Sequence, residues 1–166
     1  MTMRRLILMR HAKSSWADPG QRDFDRPLNA RGVRSAPLLG TWLRERGHVP
    51  DAALVSTARR TRETWAGLGL DDVPAEFVDE IYEAAPATLL GLVRRAPDVG
   101  TVILIGHQPG IGAAADGLLA EPMDDPMFAR HPTGTTSVID FDVDVWDDAY
   151  WGGGVLADFT VPKALG

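Results

Sequence analysis

The stretch Thr101-Val102-Ile103-Leu104-Ile105 constrains the fold more than any other part of the chain. Four of its five residues are β-branched, and no polar residue interrupts it after Thr101. Alternation marks a strand with one wet face, whereas an unbroken apolar run marks a strand buried on both. Such a strand belongs inside a sheet with helices on each side. Gly106 ends the run and His107 follows at once. Leu6-Ile7-Leu8-Met9, closed by Arg10-His11, reads as a second buried strand, and Ala53-Leu54-Val55 as a third. Glu76-Phe77-Val78 is a short extended stretch, and Val155 to Val161 is a last strand. Helical segments lie between. Asn29 caps a helix running to about Arg46, with Val33, Ala36, Leu39 or Gly40, and Leu43 on one face, and Gly47 stops it. Residues 58–68 and 86–95 read as helices, the second opened by Pro86, and Pro109-Gly110 opens another through about Ala120. Residues 17–28 and 121–134 read as loops. Residues 135–146 alternate, with Ile139, Phe141, Val143 and Val145 opposed to Asp140, Asp142, Asp144 and Trp146, which predicts a strand with one solvated face. The pattern predicts an α/β protein: a mostly parallel sheet with an antiparallel edge strand and helices on both faces.

At 166 residues the chain is expected to form one domain, residues 1–166. It has no cysteine, which excludes a disulfide scaffold, a thiolate metal site and a cysteine nucleophile. The N-terminal apolar run is too short for a signal-peptide core, and no stretch approaches the roughly 18 apolar residues of a membrane helix. A cytoplasmic protein with no membrane partner is expected. Net charge is −6, unevenly placed. Residues 1–62 carry thirteen Lys and Arg against five Asp and Glu, a surplus of +8, and the remainder four against eighteen, −14. An acidic chain with one basic third argues against a nucleic-acid partner and for a focused anion site built from early residues.

Arg10-His11 and His107 each follow a strand directly, where ligands of open α/β sheets bind. Ser56-Thr57-Ala58-Arg59-Arg60-Thr61-Arg62-Glu63-Thr64 follows the Ala53–Val55 strand and places three arginines at the start of a helix. Free N–H groups at a helix N-terminus attract anions, and guanidinium forks match phosphate oxygens. Arg59 and Arg62 also fit a solvated face paired with Glu63. After His107, the amides of residues 110–112 are expected to point toward whatever that imidazole touches. There is no G-x-S-x-G, no H-E-x-x-H and no P-loop. What remains is a metal-free, cofactor-free anion pocket with an imidazole nucleophile, since neutral histidine attacks phosphorus well near pH 7. His48, after Gly47, reads as an exposed turn residue. His131, before Pro132, keeps a bland reading, with a place at the pocket mouth as its alternative, and Trp16 reads as a wall of the entrance.

Leu8-Met9-Arg10-His11-Ala12 resembles the Arg-His-Gly signature of the histidine phosphatase (phosphoglycerate mutase-like) superfamily. Ser56-x-x-x-Arg60-Thr61-x-Glu63-Thr64 resembles its second arginine motif, and Gly106-His107 its second histidine motif. Further stretches resemble the small SixA-type phosphohistidine phosphatases: Arg-His-Ala-Lys13-Ser14-Ser15-Trp16, Asp23-Phe24-Asp25-Arg26-Pro27-Leu28-Asn29, Gly-His-x-Pro-Gly, Pro132-Thr133-Gly134 and Phe159-x-Val161-Pro162. The resemblance implies a three-layer α/β sandwich and a hydrolase that passes a phosphoryl group through a phosphohistidine intermediate. It implies that His11 is the nucleophile, that Arg10 and Arg60 clamp the phosphoryl group, that His107 stabilises the transition state, and that Ser14 lies near the phosphate. Ala12 stands where the wider superfamily has Gly, and Ala17 where many members have Asn. A clear general acid is missing: Glu83 reads as a surface carboxylate whose alternative role is that acid, with Glu80 the weaker choice. A phosphohistidine on a protein is the favoured substrate, because a leaving imidazole needs less protonation than an alkoxide. The alternatives are a small phosphomonoester phosphatase, a mutase-like enzyme and a non-catalytic phosphate-binding module. The expected partner is a phosphoprotein or small phosphorylated substrate, and the oligomeric state is left open.

Overall fold

A computed structural model describes residues 2–166. Six strands form one sheet: β1 (Arg4–Arg10), β2 (Ala52–Ser56), β3 (Ala75–Val78), β4 (Thr101–Gly106), β5 (Thr136–Phe141) and β6 (Gly154–Thr160). Their order is β3-β2-β4-β1-β5-β6. β1, β2, β3 and β4 run parallel, and β5 is antiparallel to both β1 and β6. The antiparallel strand is therefore second from the edge. The unbroken β4 run sits next to β1 in the middle of the sheet, as its composition requires.

Five helices cover the sheet: α1 (Ala30–Glu45), α2 (Arg59–Gly67), α3 (Pro86–Arg94), α4 (Gly110–Leu118) and α5 (Pro126–Arg130). Strand side chains alternate between faces. Leu6, Leu8, Val102, Leu104, Ile139 and Phe141 pack with the apolar residues of α3 and α4. Ile7, Met9, Ile103, Ile105 and Val138 pack on the other face with Leu39, Trp42 and Leu43 of α1 and with Leu68 after α2. The architecture is a three-layer α/β sandwich. Each fully buried Leu or Ile contributes about 1.5–3 kcal/mol, so the two faces supply most of the drive to fold.

Two glycines let helices reach the strand exits. A Cβ on Gly32 would lie 2.1 Å from the Lys13 carbonyl oxygen, so α1 rests its backbone on the loop after β1. A Cβ on Gly110 would lie 2.1 Å from the Ala84 oxygen, so α4 starts against the loop before α3.

Several expectations from sequence are corrected. The alternation over 135–146 is not one strand: β5 ends at Phe141. Beyond it, Arg4 donates to the Asp144 and Val99 carbonyls, and the Trp146 indole donates to the Val99 carbonyl, which folds the chain back. β5 is buried on both faces, and Asp140 is neutralised by Arg5 at 2.7 Å. The 121–134 loop contains α5, capped by the Asp125 carboxylate on the amides of Met127 and Phe128. Val33 is exposed. His48 is buried, bonded through Nε2 to Asp158 at 2.8 Å and through Nδ1 to Arg5 at 3.0 Å.

Candidate active site

The parallel register of β1 and β4 pairs Arg10 with Gly106, so His11 and His107 leave the sheet side by side. The His11 amide donates to the Gly106 carbonyl at 3.1 Å, and the two imidazole centroids are 5.3 Å apart. β2 lies on the other side of β4, and its last residue, Ser56, places Oγ 2.8 Å from His107 Nε2. Three residues on from Thr57, the first turn of α2 carries Arg60 into the same cleft. The Arg10-His11 pair, Arg60 and His107, far apart in sequence, thus line one opening of about 400 Å³ at the carboxyl ends of the central strands.

The hydrogen bonds fix which nitrogens are available. His11 Nδ1 is 2.7 Å from the Ala12 carbonyl. A carbonyl only accepts, so Nδ1 carries the proton and Nε2 keeps its lone pair. The Arg60 Nε–H donates to that lone pair at 3.3 Å. Burial lowers the His11 pKa to about 3, despite the Ala12 bond acting the other way, so the ring is neutral near pH 7. Burial, then the Arg60 cation, lowers His107 likewise to about 3. Ser56 Oγ accepts the Ala58 amide at 3.3 Å and shares a further hydrogen bond with His107 Nε2 at 2.8 Å. His107 Nδ1 is buried without a partner among the described residues. The Arg10 Nε is buried and unpartnered too, while its Nη1 is held 2.8 Å from the His131 carbonyl. The unspent Arg10 Nε–H beside a neutral imidazole suits an anion with several oxygens.

His131 itself is buried in a left-handed turn at the end of α5 and positions Arg10 from behind, not at the cleft mouth. Ser14 lines the cleft, buried, with its Oγ accepting from Arg26 at 2.8 Å. Glu83 lies exposed on the rim in a left-handed conformation, φ 57°. Trp16 is on the wall with Arg26 stacked 3.5 Å over its ring. Arg59 pairs with Glu63 at 3.0 Å on the solvated face. The amides of Ile111 and Gly112 are taken by the His107 carbonyl and by Gln108 Oε1 and do not reach the cleft. Ala12 needs no glycine, because its backbone is not in the left-handed region.

Three residues of the site carried no role in the sequence reading. Asp23 receives Arg60 Nη2 and Arg26 Nε, each at 3.0 Å, and the Tyr82 hydroxyl at 2.6 Å. These contacts outweigh desolvation and hold its carboxyl down at about 2, while burial and then Asp23 push the Tyr82 phenol up to about 12. Arg26 is buried and adds a third guanidinium. The Asp23–Asn29 motif marked Asp23 and Arg26 without giving them a task, and nothing in the sequence marked Tyr82. Among the described residues, no group of three or more His, Asp or Glu is arranged to hold a metal ion.

The profile of the histidine phosphatase superfamily (branch 1) matches residues 6–94, more than half of the chain and the span holding His11 and Arg60. The chain belongs to that superfamily. As a histidine phosphatase it is a phosphatase-type hydrolase, and the agreement extends past the matched span. An uncharacterized protein of Mycobacterium tuberculosis is 39% identical over 161 residues, 93% of this chain and 100% of that protein. A structure assigned as the phosphohistidine phosphatase SixA of Nakamurella multipartitia is 34% identical, with 98% of each chain covered and a TM-score of 0.83. Another, assigned as SixA of Agrobacterium tumefaciens, is 31% identical over 96% of this chain and 98% of that one, with a TM-score of 0.79. This histidine phosphatase is thus SixA-like in fold along its length. No helix among the described residues is long and apolar enough to cross a membrane.

Proposed function

We propose that this chain is a metal-independent phosphatase that passes a phosphoryl group through Nε2 of His11 to water, with a phosphohistidine side chain on a protein as substrate. The observation that carries the reading is the fixed tautomer of His11: Nδ1–H on the Ala12 carbonyl and a lone pair at Nε2, inside a ring of Arg10, Arg26 and Arg60. In the first step the lone pair attacks phosphorus. The P–N bond to the substrate breaks, and its electron pair returns to the substrate nitrogen. The Nδ1–H stays in place, so the phosphorylated ring is an imidazolium. In the second step water attacks, the P–Nε2 bond breaks, and its electrons restore neutral His11 as dihydrogen phosphate departs. Neither step requires a proton from the protein. The guanidiniums stabilise the equatorial oxygens as charge redistributes, with the His107 imidazole beside them.

The leaving group follows from the carboxylates. Asp23 stays ionised down to about pH 2 and cannot protonate an alkoxide, and Glu83 stands exposed at the rim with no side-chain hydrogen bond among the described residues. A phosphohistidine protonated on its second ring nitrogen leaves as a neutral imidazole and needs no acid. Asp23, with three of its roughly four acceptor sites used, has one left for that ring N–H. The proteins named SixA among the relatives are assigned as phosphohistidine phosphatases, which supports the same reading. The test is hydrolysis of a phosphohistidine peptide and of p-nitrophenyl phosphate, both in EDTA. Preference for the phosphohistidine by 10-fold or more in kcat/KM, about 1.4 kcal/mol, is expected. Equal rates, or activity lost to EDTA, would overturn the reading.

A further inference from the structure

The phosphoryl cleft does not end at its rim. Lys13 and Thr133 line both the cleft and an adjoining depression of about 230 Å³. That depression shares Arg31, Ser35, Pro162 and Lys163 with a further one of about 250 Å³, which adds Arg34 and Leu38 and reaches Gly166. Arg31, Ser35 and Leu38 lie on one side of α1, so the strip follows about 10 Å of helix. Lys13, Arg31, Arg34 and Lys163 are all exposed. Arg4, Arg5, Arg26, Arg46, Arg59, Arg60 and Arg95 are each paired with a carboxylate. These four cations have no such partner among the described residues, and no Asp or Glu side chain lines either depression. On a chain of net charge −6, an uncompensated basic strip continuous with the reaction site is the part of the surface that an anionic polymer would find.

We propose that this strip docks an acidic, extended segment of the phosphorylated partner protein, entering beside Lys13 and running along α1 past Arg31 and Lys163 toward Arg34. The proposal rests on the phosphoprotein reading above. A small phosphorylated compound ends within the 400 Å³ cleft, whereas an extended chain of about three residues spans 10 Å and reaches the outer cations. Leu38 and Pro162 give the strip an apolar floor for the aliphatic parts of such a segment. The strip also accounts for much of the positive surplus in the first 62 residues that the phosphoryl clamp leaves unused.

The experiment compares phosphohistidine peptides with flanking Glu residues and with flanking Gln residues, on the wild type and on the double variant Arg31→Gln/Lys163→Gln. Both substituted residues are exposed and lie outside the phosphoryl clamp. At low ionic strength the wild type is expected to favour the acidic peptide about tenfold in kcat/KM, through KM, because several exposed charge pairs act together. The double variant is expected to narrow that preference to within about twofold while hydrolysing p-nitrophenyl phosphate at the wild-type rate. No preference in the wild type, or a preference that survives in the variant, overturns the proposal. So does a variant defect confined to small dianionic phosphomonoesters, which would make the ligand a small molecule. If neither phosphohistidine peptide is hydrolysed, the substrate reading fails, and the same peptide pair carrying phosphoserine still tests the groove by its acidic preference.

Discussion

The lone pair at His11 Nε2 depends on the Ala12 carbonyl, which holds the opposite ring proton, and on burial, which keeps the ring neutral to about pH 3. His11→Ala removes the phosphoryl acceptor, and phosphatase activity is expected to fall by at least about 10³-fold in a steady-state assay. Asp23 acts on the same centre from one residue away: it holds Arg60, Arg26 and Tyr82. Asp23→Asn keeps the shape but removes the charge from two guanidinium bonds. A charge-assisted bond of about 1.5–3 kcal/mol is roughly twice as strong as a neutral one, so weakening two of them costs about 1.5–3 kcal/mol in all, and kcat/KM is expected to fall roughly 10- to 100-fold. Glu83→Gln gives the opposite expectation, a change of less than about threefold on a phosphohistidine peptide. A loss of 10²-fold there would make Glu83 a working general acid and contradict the proposed leaving group. At this scale, the convergence of His11, His107, Arg10 and Arg60 was legible because each stands at or soon after a strand end in a recognisable motif. The tasks of Asp23 and Tyr82 were not, because they arise only when the 23–26 loop and residue 82 meet across the cleft.

At the scale of elements, the parallel pairing of β1 with β4 brings two histidines together that are 96 positions apart in sequence. The helices after and before those strands hold the exits in place through close backbone contacts. Gly110→Ala puts a methyl group 2.1 Å from the Ala84 oxygen, and Gly32→Ala one equally close to the Lys13 oxygen. Each is expected to cost about 1–3 kcal/mol and lower the melting temperature, with activity falling further because the loops after His11 and before α3 must shift. Unchanged melting and activity in both variants would contradict these contacts. The helices and buried strands were readable from periodicity and caps: Asn29 does cap α1 through Gly32, and α3 opens at Pro86. The 135–146 stretch misled because its alternating residues continue past Phe141, whereas the chain turns there on long-range bonds from Arg4 and Trp146 that no local pattern records. The His48 position escaped for the same reason, since its partners Asp158 and Arg5 are remote in sequence.

Across the whole molecule, three buried histidines couple the site to stability. The unfolded rings take up protons below about pH 6.5, whereas folded His11 and His107 stay neutral to about 3 and His131 to about 4. The unfolded state therefore binds more protons in this window, and stability falls as pH drops from 6.5 toward 4, at up to about 1.4 kcal/mol per pH unit for each ring. Denaturant unfolding at pH 7, 6 and 5 checks this: a falling midpoint is expected, and a constant one would contradict the burial of these rings in neutral form. The sandwich and its order of layers were expected from one unbroken apolar run and the alternation of strands with helices, while the inward placement of β5 depends on pairings that the sequence does not record. The central claim is that phosphorus is bonded to Nε2 of His11 during turnover. Its most direct measurement is rapid quenching under non-acidic conditions, followed by mass spectrometry of the protein reacted with a phosphorylated substrate. A transient phosphoryl group on the peptide containing His11, absent in His11→Ala, is the expected result; a phosphoryl group found only elsewhere, or turnover with none at any time, would contradict it.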